Sequence, residues 1–343
     1  VFMISVIIPC LNEEKSLGTL LTQLLEQKDT SLEILVVDGG STDKTAVCAE
    51  EYGATVIHSQ RGRGCQQNAG AAKASGEHLL FLHADSRLEH NCQLSQALSL
   101  IKQAERRTAG HFRLRFETDS TRIKKRLRLF EYKTQLNREG TFNGDQGLLI
   151  CTSDFKLMGG FSEKYHFLED KEFAARFRAY GQFTTLPSIL YTSARRFEQE
   201  GLEERLILNT LIMTMFHLES SYFFNRAGDA YRDNNLDGTL NLLPLFELTH
   251  QSVFHQGISE ALVHCFLIGR FAAKNLWQVG LPFYIKKNKA DLWLSRYDRF
   301  FKPLTDNLAG YFLATLIVLT WFYSWRFRLI LKKILKKSQP NSC

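Results

Sequence analysis

From Ile4 to Asp85 the chain alternates short apolar runs with amphipathic stretches, and this alternation constrains the fold more than any other feature. Strands are expected at 5–8, 33–37, 55–58 and 78–82, with helices at 14–26, 44–52 and 66–74. Asn12 and either Ser41 or Thr42 read as helix caps, and Gly53 and Gly76 as helix ends. Regular βα alternation implies a parallel, doubly wound α/β sheet. Such sheets take ligands at the carboxyl rim of their strands, and two of these runs deliver an aspartate there, Asp38 and Asp85. Two acidic loops separated by a glycine-arginine loop suit a nucleotide with a divalent metal.

With 343 residues, 44% of them hydrophobic and 23% charged, the chain can bury a sizeable core as one large domain or two smaller ones. The seven cysteines are scattered and never spaced C-x-x-C, which points to a reducing compartment and away from structural zinc. No leader is read before the first strand, so the N-terminal domain is expected in the cytosol.

Residues 86–200 read as mixed α+β, with a helix at 93–105, a strand at 110–116 and a basic stretch at 122–128. From Leu202 onward the pattern is helical and aromatic, with Leu262, Cys265, Phe266, Gly269, Ala273 and Leu276 on one helical face. The cluster 233–238 marks the expected boundary, giving domains 1–232 and 233–343. Residues 308–325 carry no charge and would make a helix of about 27 Å, barely enough to span a bilayer. The basic tail 326–343 holds much of the formal +7 charge and reads as a helix suited to anionic lipid. Spanning, lying in plane and forming a core helix all remain open, because basic residues also precede the apolar run. The basic residues track apolar sequence and no exposed aromatic platform, so nucleic acid is not an expected partner.

Six short segments carry chemistry. Pro9, Asn12 and Glu13 end the first strand at the ligand rim, and Asp38 precedes Gly39 and Gly40, whose flexible backbone permits close approach of a base or ribose. Asp38 with Ser41 also suits a simple turn and cap. Arg61 and Arg63, followed by Gln66 and Asn68, set guanidinium groups and free amides at a helix start, as diphosphate oxygens require. A dinucleotide fingerprint after the first strand is missing, which disfavours a dehydrogenase. Asp85 is the expected ligand of Mg²⁺ or Mn²⁺, with His83 as a second ligand or a histidine bonded to backbone. Asp145 and Gln146 form one further acidic patch, and Glu169 and Asp170 another in the first turn of a helix. A carboxylate there can act as a general base or simply favour the helix terminus.

Together SVIIPCLNEE, VVDGGSTDKT, RGRG, LHADS, GDQG and LEDKEF resemble, in order, the family 2 glycosyltransferases of the GT-A fold. They look most like small bacterial members associated with radical-SAM and selenium-related gene clusters. The resemblance covers about residues 3–230 and implies a GT-A, Rossmann-like nucleotide-diphospho-sugar transferase domain followed by a helical C-terminal region. It implies inverting transfer from a nucleotide-diphosphate sugar. Asp38 would contact the base, Arg61 and Arg63 the diphosphate, Asp85 the metal, and Asp170, with Glu169 beside it, would supply the base. Asp145, Gln146, Arg195 and Arg196 would contact sugar or acceptor. Two departures matter: His83-Ala84-Asp85 replaces the usual D-x-D, and Ala194-Arg195-Arg196-Phe197 lacks the Q-x-x-R-W of polymerising members, which disfavours a processive polymerase. The expected enzyme works at the cytoplasmic face of the membrane on a lipid-linked or small acceptor. A soluble transferase with a helical partner interface and a silent nucleotide-sugar-binding protein are the alternatives.

Overall fold

A computed structural model describes residues 3–164, 168–232 and 240–338. The chain divides into two compact units, Val1–Ala194 and Arg195–Cys343. The cluster expected to mark the boundary, 233–238, lies outside the described residues. Leu208 and Leu211 share an apolar core with Leu240, Leu245 and Phe246, which draws the residues before 233 into the helical unit.

The first unit runs β1 (Met3–Cys10), α1 (Glu14–Leu25), β2 (Ser31–Asp38), α2 (Thr45–Glu51), β3 (Thr55–His58), α3 (Arg63–Lys73), β4 (His78–Phe81), β5 (Arg87–Leu88), α4 (Gln93–Lys102), β6 (Thr108–Glu117), α5 (Thr121–Lys133), β7 (Leu148–Cys151), α6 (Thr152–Leu157), α7 (Glu169–Phe177) and β8 (Gln182–Ser193). The sheet order is β3-β2-β1-β4-β7-β6-β8-β5. The first four strands are parallel, as expected, while β7 runs antiparallel to both its neighbours and makes the sheet mixed. β2 and β3 lie on one side of β1 and β4 on the other, so strand order reverses between β1 and β4, where an open α/β sheet leaves a crevice.

Side-chain alternation along β1 builds the core on both faces. Ile4, Val6 and Ile8 pack in a layer with α1 and α4, whereas Ile7 joins Ala71 of α3 and Phe173 and Phe177 of α7. Phe81, Phe155, Phe161 and Phe173 meet ring to ring on that second face. Full burial of each such side chain contributes about 1.5–3 kcal/mol, which holds α7 against the sheet near the crevice.

Helix boundaries depart from expectation where loops cross-link. α3 begins at Arg63, inside the RGRG segment, because Gly64 lets the helix start sit flush on the Ser162 carbonyl; a Cβ there would lie 3.0 Å from that oxygen. Asn12 (φ 56°) caps no helix, and neither Ser41 nor Thr42 caps α2, whose cap position is Lys44. Gly53 (φ 74°) closes α2 as expected. Gly76 instead lies against β1, where a Cβ would come within 2.8 Å of Met3 O.

The second unit comprises α8 (Arg195–Gln199), α9 (Leu202–His217), α10 (Ser221–Arg232), α11 (Leu243–Phe254), α12 (Ile258–Lys274), α13 (Trp277–Ile285), α14 (Ala290–Arg296), a π-helical turn Tyr297–Phe301, α15 (Lys302–Thr305) and α16 (Leu308–Ser338). In α12, Cys265, Gly269 and Ala273 are buried as the spacing required, but Leu262 is 67% exposed. The apolar run 308–325 belongs to one continuous helix that extends to Ser338.

Candidate active site

The strand register brings Cys10, Asp38 and His58 level at the rim. Asp38 is buried and accepts the amides of Gly40 and Ser41 at 3.2 and 3.1 Å, as well as the Ser41 hydroxyl. His58 Nδ1 lies 3.6 Å from the same carboxylate. Ser41 Oγ accepts the Asn12 amide (2.9 Å), Asn12 Oδ1 accepts the Thr42 amide (2.8 Å), and Thr45 Oγ1 accepts the Glu13 amide (2.9 Å). These bonds lock the loop that follows Pro9 to the loop that follows Asp38. Gly40, at φ 91°, holds a conformation that glycine adopts without strain.

Gln66 bridges two strand ends, its Nε2 donating to Cys10 O and Val37 O at 2.8 Å each. Its amide group is therefore committed to backbone at the rim. Asn68 turns to the backbone of Phe161. Arg61 is exposed, and Arg63 opens α3 with its Nη1 3.5 Å from Glu169 Oε1.

Around Arg63 the charges converge. Burial works against its guanidinium, but Glu169, Asp145, Asp170 and Asp85 outweigh that effect and hold its pKa above the ordinary value. Glu169 is 1% exposed and neither of its oxygens has a hydrogen-bond donor, so burial pushes its pKa up against the pull of Arg63. Leu168, just before it, sits at φ 65°, a left-handed conformation that costs a leucine about 1–2 kcal/mol. Asp170 Oδ2 accepts the Gly144 amide, tying the start of α7 to the turn Gly144–Gln146.

His83 Nδ1 lies 2.8 Å from Asp145 Oδ1, which leaves its Nε2 buried with no hydrogen-bond partner. Gly144 separates that nitrogen from Asp170: a Cβ at Gly144 would stand 3.3 Å from His83 Nε2 and 3.5 Å from Asp170 Oδ2. Among the described residues no group of three or more His, Cys, Asp and Glu side chains could hold a metal alone. An orphaned imidazole nitrogen with Asp85 two residues further on fits a cation that draws its remaining ligands from phosphate and water oxygens.

Like Gln66 and Asn68, Gln146 is committed to partners within the protein. Gln146 was expected to meet sugar or acceptor, but it is 0% exposed. Its Nε2 contacts His111 Nδ1 (2.8 Å) and the carbonyls of Thr134 and Phe112, and its Oε1 accepts the Asn143 amide. It is an internal strut. Arg195 and Arg196 lie on α8 in the second unit. Lys171 was overlooked, although it adjoins Asp170 in LEDKEF. Its Nζ donates to the carbonyls of Gly140 and Phe142 and so shapes the wall of the site, and burial lowers its pKa.

Residues 5–162, most of the first unit, match the family model "Glycosyl transferase family 2". A 54-residue stretch is 44% identical to 4,4'-diaponeurosporenoate glycosyltransferase of Staphylococcus aureus strain MRSA252, covering 16% of this chain; the same figures hold for the strain USA300 protein. The chain's match spans 14% of the length of these curated relatives. Among solved structures it is similar to S. aureus TarS 1-349 in complex with UDP, at 19% identity and TM-score 0.49, covering 85% of this chain and 89% of that one. It is also similar to glucosyl-3-phosphoglycerate synthase from Mycobacterium tuberculosis in complex with Mn²⁺, UDP and glucosyl-3-phosphoglycerate, at 18% identity and TM-score 0.42, covering 56% and 70%.

Proposed function

We propose that this chain is an inverting glycosyltransferase that moves a sugar from a nucleotide-diphosphate sugar to a hydroxyl or phosphate acceptor. The observation that carries the reading is a cluster of charged groups, with Glu169 3.5 Å from Arg63, Asp145 2.8 Å from His83 and Asp170 bonded to the Gly144 amide, in and beside the stretch that matches the glycosyl transferase family 2 model.

In this reading Asp38, with Gly40 beside it and Pro9, Asn12 and Glu13 across the rim, receives the base and ribose. Gln66 holds that rim together, and Arg61 and Arg63 face the diphosphate. Asp170, fixed by the Gly144 amide, takes the proton of the acceptor hydroxyl. The acceptor oxygen then bonds to the anomeric carbon from the face opposite the leaving group. The electron pair of the broken carbon–oxygen bond departs on the diphosphate, where the arginines compensate the added charge. Glu169 keeps Arg63 in place, and Asp145 remains the assigned contact for sugar or acceptor. Asp85 and His83 would hold a divalent cation, Mg²⁺ or Mn²⁺, which when bound neutralises diphosphate charge.

We also propose attachment to the cytoplasmic face of the membrane, with a lipid-linked acceptor. Supporting this, only 11% of the apolar stretch in α16 is buried. The competing idea of a silent scaffold is disfavoured by the joint presence of Asp85 and Asp170.

Calorimetric titration of the full chain with UDP, GDP and their sugars tests the donor site, with Mn²⁺, then EDTA, and then on Asp85→Ala. Metal-dependent binding of one nucleotide, lost in the variant, is the expected result. Binding of none of them would remove the transferase reading.

A further inference from the structure

The exposed large apolar side chains of α16 follow a pattern. Leu308, Phe312, Leu313, Leu316, Ile317 and Phe327 are each at least 60% exposed, and at 100° per residue they fall within one half of the helix surface. The other half is packed on protein. Ala314 and Phe322 are buried there, and the Phe322 ring stacks on Phe246 of α11 at 4.9 Å. Gly269 of α12 lies flush on the backbone of Thr315. Arg326 grips Glu247 of α11 through two bonds of 2.9 and 2.8 Å.

This arrangement argues against a crossing. A helix spanning the bilayer from Leu308 would carry its α11 and α12 neighbours in with it, and the Arg326–Glu247 pair, 18 residues along, would meet hydrocarbon or the far interface. The opposite geometry has no such penalty. A helix with one protein-packed half and one apolar half is satisfied when it lies in the membrane plane, its apolar face about 5–10 Å deep. The charges fit the same orientation: α16 bears Arg328, Lys332 and Lys333 and no acidic residue, as an anionic headgroup layer favours.

Building on the membrane attachment proposed above, we infer that α16 lies side-on in one leaflet of an anionic membrane and does not cross it. The exposed face from Leu308 to Phe327 forms the embedded surface, and the lysines that follow contact headgroup phosphates.

The test adds purified full chain to the outside of sealed phosphatidylcholine vesicles, with and without phosphatidylglycerol, and follows it by flotation. Binding should need the anionic lipid and fall at least about tenfold in the double variant Leu313→Glu/Ile317→Glu. Because both positions are exposed, that variant should melt like the parent. In Lys302→Cys and Lys333→Cys, a membrane-impermeant maleimide should label both introduced thiols from outside, read by peptide mass. Labelling at 302 with protection at 333 would mean that the helix crosses, and would overturn the inference while leaving membrane attachment intact. Failure to float, or a dimer abolished by the double variant, would overturn both, whereas the donor titration stands or falls separately.

Discussion

Asn68 and Phe161 exchange two hydrogen bonds: Asn68 Nδ2 donates to the Phe161 carbonyl and the Phe161 amide donates to Asn68 Oδ1, each at 2.9 Å. The pair staples α3 to the segment before α7, and Asn68 Nδ2 also reaches Glu163 Oε1 at 2.9 Å. Asn68→Ala should therefore lower stability by about 1–3 kcal/mol and leave nucleotide affinity close to the parent's. Urea denaturation together with calorimetry separates the two effects. Lost affinity at full stability would return Asn68 to the donor site.

Asp170 presents one oxygen to the Gly144 amide, and an asparagine carbonyl can accept the same bond. Asp170→Asn should keep its fold and its donor affinity but lose the proton acceptor, slowing turnover by about 10²- to 10⁴-fold. Single-turnover assays with the donor identified by calorimetry measure this step. A variant as fast as the parent would exclude Asp170 as the base.

Much of the first unit was legible because its signals are local. Apolar runs of strand length, separated by amphipathic turns, need no distant partner to be recognised, and the acidic loops follow directly from strand ends. Side-chain partnership is different. Gln66, Asn68 and Gln146 looked like ligand groups, since sequence displays an amide without showing what it bonds. In the fold Gln66 reaches the carbonyls of Cys10 and Val37, and Gln146 is enclosed by residues of β6 and the end of α5. The pairing of His83 with Asp145 is equally hidden, because it arises where the turn before β7 returns beside β4. For α16, composition gave the apolar run but could not tell which half of the helix neighbouring helices would cover.

Gly269 is where α12 and α16 meet most closely. A Cβ there would lie 1.9 Å from Thr315 Oγ1 and 2.7 Å from both Thr315 N and Tyr311 O, so rotating a side chain cannot relieve the clash. Gly269→Ala should destabilise the helical unit by about 1–3 kcal/mol, whereas Leu262→Ala, at an exposed position, should change little. Equal urea midpoints for the two variants would mean that the helices do not pack this tightly.

His111 makes the first unit sensitive to acid. It is 1% exposed, with Nδ1 taking a hydrogen bond from Gln146 Nε2 at 2.8 Å and Nε2 donating to Asn137 Oδ1 at 2.9 Å. The neutral ring is thus fully satisfied, and a second proton would set two donors face to face. Burial lowers its pKa, and the bond to Asn137 does not restore it. His78, at the start of β4, is lowered in the same direction by burial and then by Lys102. Because the folded pKa lies below the unfolded value of about 6.5, the unfolded chain binds more protons in the interval between them. Stability is therefore fully present above that value and falls as pH drops through the interval, by up to about 1.4 kcal/mol per pH unit for each histidine. Urea titrations followed by circular dichroism, from about pH 7.5 down to about pH 5, should show the decline. His111→Gln removes one titrating group, so its curve should be flatter by one histidine's share even if its stability at neutral pH is lower. Parallel curves for parent and variant would show that His111 is not held neutral by the fold.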